Sequence, residues 1–391
     1  MINVSTLFAG SGSGSDALRY GEGNGAAPAA GARRPVVVWT MSRRCNLRCR
    51  HCYTDSGDQA YPGELSVAEG RALLEDLARF QVPAVLLSGG EPLLHPAFFE
   101  LATYANSLGL RLTLSTNGTK ITAPIAQQLR EIGFRYVGIS LDGIGADHDK
   151  FRGKRGAFDA ALAGIRHLKA VGQRVGIRFT LTRKNVPALP KIFELAVAEG
   201  VDRICFYHLV YAGRGSRIAA DDLPHAEARQ ALDRILAWAN TLKAEGRDLE
   251  VLTVDNPADG VYGYLQLRQT DPARAEQARQ RLAWNTGAAA GSGTGLAHVD
   301  ATGAVHADQF SIGHPVGNVR ERPFSEIWAD PSQPLLAALR NRLPRLTGRC
   351  GSCQWKSLCG GGFRARAMQA TGDLWASDPA CYLSEEEITC S

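Results

Sequence analysis

Three cysteines stand at Cys45-x3-Cys49-x2-Cys52, within Ser42-Arg43-Arg44-Cys45-Asn46-Leu47-Arg48-Cys49-Arg50-His51-Cys52-Tyr53, directly after the apolar run that ends in Trp39. A loop of this length can turn three sulfurs toward one point. Three thiolates are one fewer than a closed cubane iron–sulfur cluster or a structural zinc uses. On an iron–sulfur cluster they leave one iron open to a small molecule. A second group lies near the C-terminus, Cys350-x2-Cys353-x5-Cys359 and then Cys381. Four ligands with one distant member suit a closed cluster, with a zinc ribbon as the alternative. Cys205 sits in an apolar run and reads as core. Cys390, next to the chain end, is not expected to be a ligand.

Other chemistry-bearing stretches are spaced between these groups. In Ser88-Gly89-Gly90-Glu91-Pro92 two glycines let backbone approach a ligand closely, and an acidic side chain follows. Ser115-Thr116-Asn117-Gly118 and Ser140-Leu141-Asp142-Gly143 offer small hydroxyl and carbonyl groups, with ordinary helix capping as the competing role. Arg178 could face a carboxylate or make a structural salt bridge. His208, in Phe206-Tyr207-His208-Leu209, is either a satisfied core residue or a substrate contact. Arg214 and Arg217 could grip carboxylates bidentately, or belong to a solvated basic loop.

Positioning these groups falls to alternating elements. Strands are predicted over residues 35–40, 84–88, 111–115, 136–141, 175–181 and 203–209. Between them run apolar stripes at helical spacing, one of them Leu73, Leu74, Leu77 and Phe80, opened by the capping box Ser66-x-x-Glu69. Six β/α units in a row imply a parallel sheet, because parallel strands need crossover helices. Six are too few for an eight-fold barrel. Residues 1–34, with Gly, Ser and Ala runs, are expected to be a flexible lead-in, although 15–21 has the look of a packed segment. Residues 35–222 form the β/α core, 223–290 a helical connector, and 291–391 a small cysteine-rich unit that opens on a β-hairpin over 296–310.

At 391 residues the chain can bury more than one core. Hydrophobic residues make up 45% and charged residues 21%, and the net charge of +5 implies no nucleic acid but suits a polyanionic small substrate. No apolar run reaches the roughly 18–20 residues of a membrane span, and no export signal is evident. Clustered cysteines without such a signal point to metal ligation in a reducing cytoplasm.

The three-cysteine spacing with its following tyrosine resembles the radical S-adenosylmethionine (SAM) superfamily, and Gly-Gly-Glu-Pro and Ser-Leu-Asp-Gly follow in that family's order. The resemblance implies a partial (β/α)6 TIM-type barrel with its chemistry at the C-terminal strand ends. It implies a 4Fe-4S cluster on Cys45, Cys49 and Cys52 that chelates SAM. Gly89, Gly90, Glu91, Ser115, Asn117, Ser140 and Asp142 would contact SAM, with Ser140 and Asp142 matching the ribose position best. The tail resembles the auxiliary-cluster domains of SPASM or twitch type, which implies a second 4Fe-4S cluster on Cys350, Cys353, Cys359 and Cys381. The hairpin carries Val305-His306-Ala307-Asp308 where peptide-modifying members often have a cysteine, so one auxiliary cluster is implied rather than two.

Further stretches narrow the branch: Ser292-Gly293-Thr294-Gly295, Gly317-Asn318-Val319-Arg320-Glu321-Arg322 and Asp378-Pro379-Ala380-Cys381-Tyr382. They resemble enzymes that remodel side chains of iron tetrapyrroles in haem biosynthesis. The start Met1-Ile2-Asn3-Val4-Ser5 is most similar to the branch that removes acetate arms from 12,18-didecarboxysiroheme to give iron-coproporphyrin III. The haem d1 enzymes and the coprohaem decarboxylases are the alternatives. The implied partners are an iron tetrapyrrole and a ferredoxin- or flavodoxin-like electron donor. Arg178, Arg214, Arg217, Arg320 and Arg322 are the expected carboxylate partners, and His208 and His306 the candidate iron ligands.

Overall fold

The computed structural model describes residues 1–10, 34–286 and 291–389. Cys390 and the segment 15–21 lie outside the described residues. Eleven strands form one sheet: β1 (Ile2–Asn3), β2 (Val36–Thr40), β3 (Val85–Ser88), β4 (Leu112–Thr116), β5 (Tyr136–Ser140), β6 (Val175–Leu181), β7 (Arg203–His208), β8 (Glu250–Val254), β9 (Leu296–Val299), β10 (Ala304–His306) and β11 (Gly317–Asn318). Their order is β1-β8-β7-β6-β5-β4-β3-β2-β9-β10-β11. From β2 to β8 every pairing is parallel. The sheet is curved but open, as a partial barrel requires.

Local sequence explains these elements. β-Branched and aromatic residues fill the strands, as in Val36-Val37-Val38-Trp39-Thr40. Helices Val67–Arg79, Phe98–Ser107, Ala123–Ile132, Ala157–Ala170 and Leu189–Ala198 supply the crossovers. The first starts at the expected capping box, where Ser66 and Glu69 satisfy each other's backbone N–H groups. It buries Leu73, Leu74 and Leu77.

Three expectations change. First, residues 1–10 are no flexible lead-in. β1 pairs antiparallel with β8, and the π-helix Ser5–Ala9 that follows is buried throughout. Ile2, Val4, Leu7 and Phe8 have too much apolar surface to leave in water. The Phe8 ring uses the space left by Gly263, where a Cβ would come within 2.6 Å of it. Second, residues 223–290 are not purely helical. β8 runs between helix His225–Ala244 and helices Ala258–Thr270 and Pro272–Thr286, adding a seventh parallel strand. Third, the hairpin is not a separate layer, because β9 pairs in parallel with β2 and continues the barrel sheet.

The cysteine-rich tail docks on the strand ends through one buried pair. Arg366 holds Asp378 at 2.8 Å, and both side chains are fully buried. The remaining guanidinium donors reach the carbonyls of Leu209 and Asp255, which follow β7 and β8.

Candidate active site

The loop after β2 is pinned at several points. Cys45 N–H donates to Gly57 O, and the N–H groups of Arg48 and Arg50 donate to the carbonyls of Arg152 and Phe151. Arg214 clamps it from the other side, with Nε on Cys49 O at 2.8 Å and Nη1 on Ser56 O and Asp55. Gly213 permits this approach, since a Cβ there would lie 2.5 Å from the carbonyls of Cys52 and Tyr53 and its φ is +54°. Arg214 is therefore engaged by the cysteine loop, which corrects its expected place on a substrate.

Gly89 and Gly90 serve the same loop. A Cβ on Gly90 would sit 2.4 Å from Arg44 O, and one on Gly89 2.5 Å from Ser42 O. Their function is close backbone packing. Glu91 is fully buried and turned inward: Oε1 accepts from Thr116 at 2.7 Å, and Oε2 from Asn117 N–H at 2.8 Å. Instead of facing a ligand it ties the loop after β4 to the end of β3. Burial raises its pKa against these hydrogen bonds. Asn117, so placed, directs its Nδ2 toward Cys45 Sγ at 3.8 Å and Asn46 Oδ1 at 3.0 Å.

Asp142 is also buried, ion-paired with Arg152 and accepting from Thr180 N–H at 2.7 Å. Burial opposes its charge, but Arg152 and the Thr180 N–H outweigh burial and hold the carboxyl below its usual range. Arg152 then donates to Cys49 Sγ at 3.3 Å, and its buried Nε is left without a partner. Sequence reading missed Arg152. Its partners are up to 103 positions away, and only a basic residue one helix beyond Ser-Leu-Asp-Gly hints at it. His51 lies nearby and is kept neutral, its pKa lowered to about 4 by burial.

Arg152 and His51 face a cavity of about 770 Å³ that runs along the barrel lumen to the tail. Ser115, Ser140, Arg178, His208 and Cys359 line it, together with His51, Tyr53, Arg152, Tyr207, Asp255, Phe310 and Phe363, none of which sequence singled out as a site residue. Arg217 is exposed and does not line it. Arg320 pairs with Glu69 at 2.6 Å and Arg322 with Asp330 at 2.9 Å, so neither faces the cavity. His306 is buried between Asp300 and Ser311 O, which removes it as an iron ligand. His208 reaches the cavity but gives Nε2 to Asp259 at 2.9 Å, and Tyr382 holds the other Asp259 oxygen at 2.7 Å.

Whether the cysteines suit a cluster follows from their surroundings. Cys45 lies within electrostatic reach of Cys49 and Cys52, and burial pushes its thiol up to about 12. Such thiols become thiolates only against a strong positive charge, which metal supplies. Cys359 likewise feels Cys381, Cys353 and Cys350, and burial pushes it to about 12 as well. Among the described residues no three His, Cys, Asp or Glu side chains converge on a single-ion site. Grouped, buried thiols of this kind suit the thiolate ligation of an iron–sulfur cluster. Both donor sets therefore fit a cluster, with Arg152 and Asn117 donating to the first and Arg349 donating to Cys381 Sγ at 3.4 Å in the second.

Residues 39–196 match the family model described as the radical SAM superfamily. Over 396 aligned residues, 99% of each chain, the protein is 49% identical to the Fe-coproporphyrin III synthase of Methanosarcina barkeri. The chain belongs to the radical SAM superfamily. This radical SAM protein is also 48% identical to the pre-heme d1 synthase of Dinoroseobacter shibae, covering 92% of this chain and 89% of that one. With the AdoMet-dependent heme synthase of M. barkeri it shares 34% identity over 88% of this chain and 95% of that one. Among solved structures, anSMEcpe with bound AdoMet superposes with a TM-score of 0.70 at 19% identity, covering 90% of this chain and 96% of that one. Streptococcus suis SuiB bound to S-adenosylmethionine gives 0.69 at 15%, covering 90% and 78%. These two likenesses establish the fold of barrel and tail together. Membership implies a 4Fe-4S cluster on Cys45, Cys49 and Cys52 with SAM beside it. Among the described residues no helix is long and apolar enough to cross a membrane.

Proposed function

We propose that this enzyme removes acetate side chains from 12,18-didecarboxysiroheme to give iron-coproporphyrin III, with an auxiliary 4Fe-4S cluster on Cys350, Cys353, Cys359 and Cys381. The observation that carries this reading is the 49% identity to an Fe-coproporphyrin III synthase over 99% of both chains, which takes in β1 and the buried π-helix. Action on propionate arms of the same tetrapyrrole is the second reading, favoured by the nearly equal identity to a pre-heme d1 synthase.

A 4Fe-4S cluster held by Cys45, Cys49 and Cys52, with SAM beside it, would supply one-electron reduction of SAM and hydrogen-atom abstraction from a substrate side chain. The protein's part is orientation and exclusion of water. Arg152 and Asn117 present donors beside the cysteine sulfurs, and Ser140 offers a hydroxyl at the mouth. Tyr53 and Phe363 pack edge-to-face on Phe310, with centroids 5.2 and 5.5 Å from its ring, and give the cavity an aromatic lining that suits a macrocycle. Arg178 and His208 are the substrate-facing polar groups that remain of the original set. Electrons would come from a ferredoxin- or flavodoxin-like donor in the cytoplasm.

An anaerobic turnover with SAM, dithionite and 12,18-didecarboxysiroheme, followed by mass spectrometry, tests the assignment. Stepwise loss of two acetate arms is expected. Products altered at the propionates would transfer the enzyme to the second reading, and deoxyadenosine with an unchanged tetrapyrrole would remove both.

A further inference from the structure

The lumen below the reaction mouth contains a cation with no anion. Arg178 starts on β6, crosses over Gly138 on β5 and donates through Nη1 to Ser115 Oγ on β4 at 2.5 Å. Gly138 is what lets it cross, since a Cβ there would lie 2.4 Å from Nε. Gly176 makes the same kind of room for the Tyr136 hydroxyl, at 2.2 Å from a Cβ. The guanidinium of Arg178 and the hydroxyl of Tyr136 are buried and face each other, with no acceptor for the Arg178 Nε–H beyond this contact. Arg178 has no ion pair among the described residues, and its guanidinium lies 5.9 Å from the Tyr207 ring centroid. Burial pushes the Tyr136 hydroxyl up to about 12 and Tyr207 higher, so both remain neutral donors.

Below this level the cavity opens through a basic rim. Arg34, Arg111, Arg135, Arg174 and Arg203 stand at the starts of five barrel strands, and all line the same cavity. Glu250 answers Arg174 and Arg203, at 3.2 and 2.5 Å. Arg111 and Arg135 are exposed and make no ion pair among the described residues. Asp255 also lines the cavity, but arginines outnumber it, and a low-dielectric lumen in which one sign of charge predominates concentrates the opposite ion.

We infer that the barrel lumen is a binding site for a small carboxylate, anchored on Arg178 and Tyr136 and open to solvent through the arginine rim. Acetate-sized acids match the site because the groups facing it are one guanidinium and neutral hydroxyls, which together satisfy a single carboxylate. The acid cut from the substrate is the natural occupant, an identity that rests on the deacetylation reading. The site itself rests on the geometry. It gives the released fragment a way out that does not pass the macrocycle.

The test uses reconstituted holoenzyme with SAM and no reductant, titrated with carboxyl-13C acetate and read by NMR line broadening. Wild type is expected to broaden acetate and not acetamide, which has the same shape without the charge. Arg178→Met should weaken acetate binding by about tenfold or more, as loss of a charge-assisted contact does, with iron content and SAM binding retained. Arg111→Gln/Arg135→Gln should leave single-turnover product formation unchanged and slow later turnovers. Absence of broadening in wild type, equal binding of acetamide, or equal broadening in Arg178→Met would each overturn the site. Turnover is not needed for this readout. If the tetrapyrrole assay fails while acetate binding still depends on Arg178, the site stands and the substrate assignment falls.

Discussion

The two cysteine groups use similar chemistry in different settings. The first sits inside the barrel mouth, on a loop held by Arg214, by the Gly89-Gly90 turn and by Arg152. Its three thiols are one fewer than a closed cluster uses. The second is built on short helices at the end of the chain, and a Gly360-Gly361-Gly362 turn with three positive φ angles folds back immediately after Cys359. In the proposed auxiliary cluster four thiols would close it. An open site demands surroundings that are buried and rigid, because the vacant coordination position must meet its ligand in one orientation. A closed site can be assembled from small irregular pieces, because the metal itself completes the structure.

The largest effect should separate the two. Cys45→Ala is expected to abolish 5′-deoxyadenosine formation and lose the iron of the first site only. Cys381→Ala should retain deoxyadenosine formation and lose tetrapyrrole product. Full product turnover by Cys381→Ala would remove the auxiliary cluster from the reaction, and loss of deoxyadenosine in that variant would end the contrast.

Next come the two buried ion pairs. Arg366→Met leaves Asp378 charged and unpaired, for which about 3–5 kcal/mol is expected. Because Arg366 also holds carbonyls after β7 and β8, urea should unfold barrel and tail together at a lower midpoint. A separate early transition of the tail would show that the two regions fold independently. Arg152→Met carries a similar cost through Asp142, and it should also weaken SAM binding, measured by equilibrium dialysis. Unchanged SAM affinity would make Arg152 a purely structural strap.

The smallest effect concerns the seam. His208 has its pKa raised: burial opposes its charge, but Asp259 outweighs burial. Its stabilisation is therefore complete below the ordinary histidine range and is lost as pH rises through the raised value. Asp259 is held below the usual carboxylate range, burial being outweighed by His208, so its share is present above that range and lost in acid. Stability from the pair should thus fall from neutral toward alkaline pH. In His208→Gln the alkaline fall should flatten, and denaturation midpoints at pH 6 and pH 9 would show it. An identical slope in both proteins would remove the charged pair from the seam.

Six of the seven strands from β2 to β8 were legible because apolar β-branched runs alternate with helical stripes. β8 was not. It is five residues long, starts with Glu250 and lies between two helical patterns. β1 is two residues long and shows no periodicity. The two cysteine groups could be read from spacing alone. Glu91, Asp142 and Arg214 were identified as important residues, but their contacts were not, since each satisfies a partner distant in sequence. Arg178 could be placed because residue alternation along a strand decides which side chains face the lumen.

The order of the sheet has a consequence for biosynthesis. Both flanks of the barrel sheet are completed by segments far away along the chain. β1 waits for Thr253 and Leu252, and β2, which carries the first cysteine loop, waits for Leu296–Val299. Such non-local pairing slows folding and leaves strand edges exposed while the ribosome is still at work. The nascent enzyme should therefore depend on holding factors until nearly all of it has emerged, and metal loading of the first loop should be a late event in its maturation.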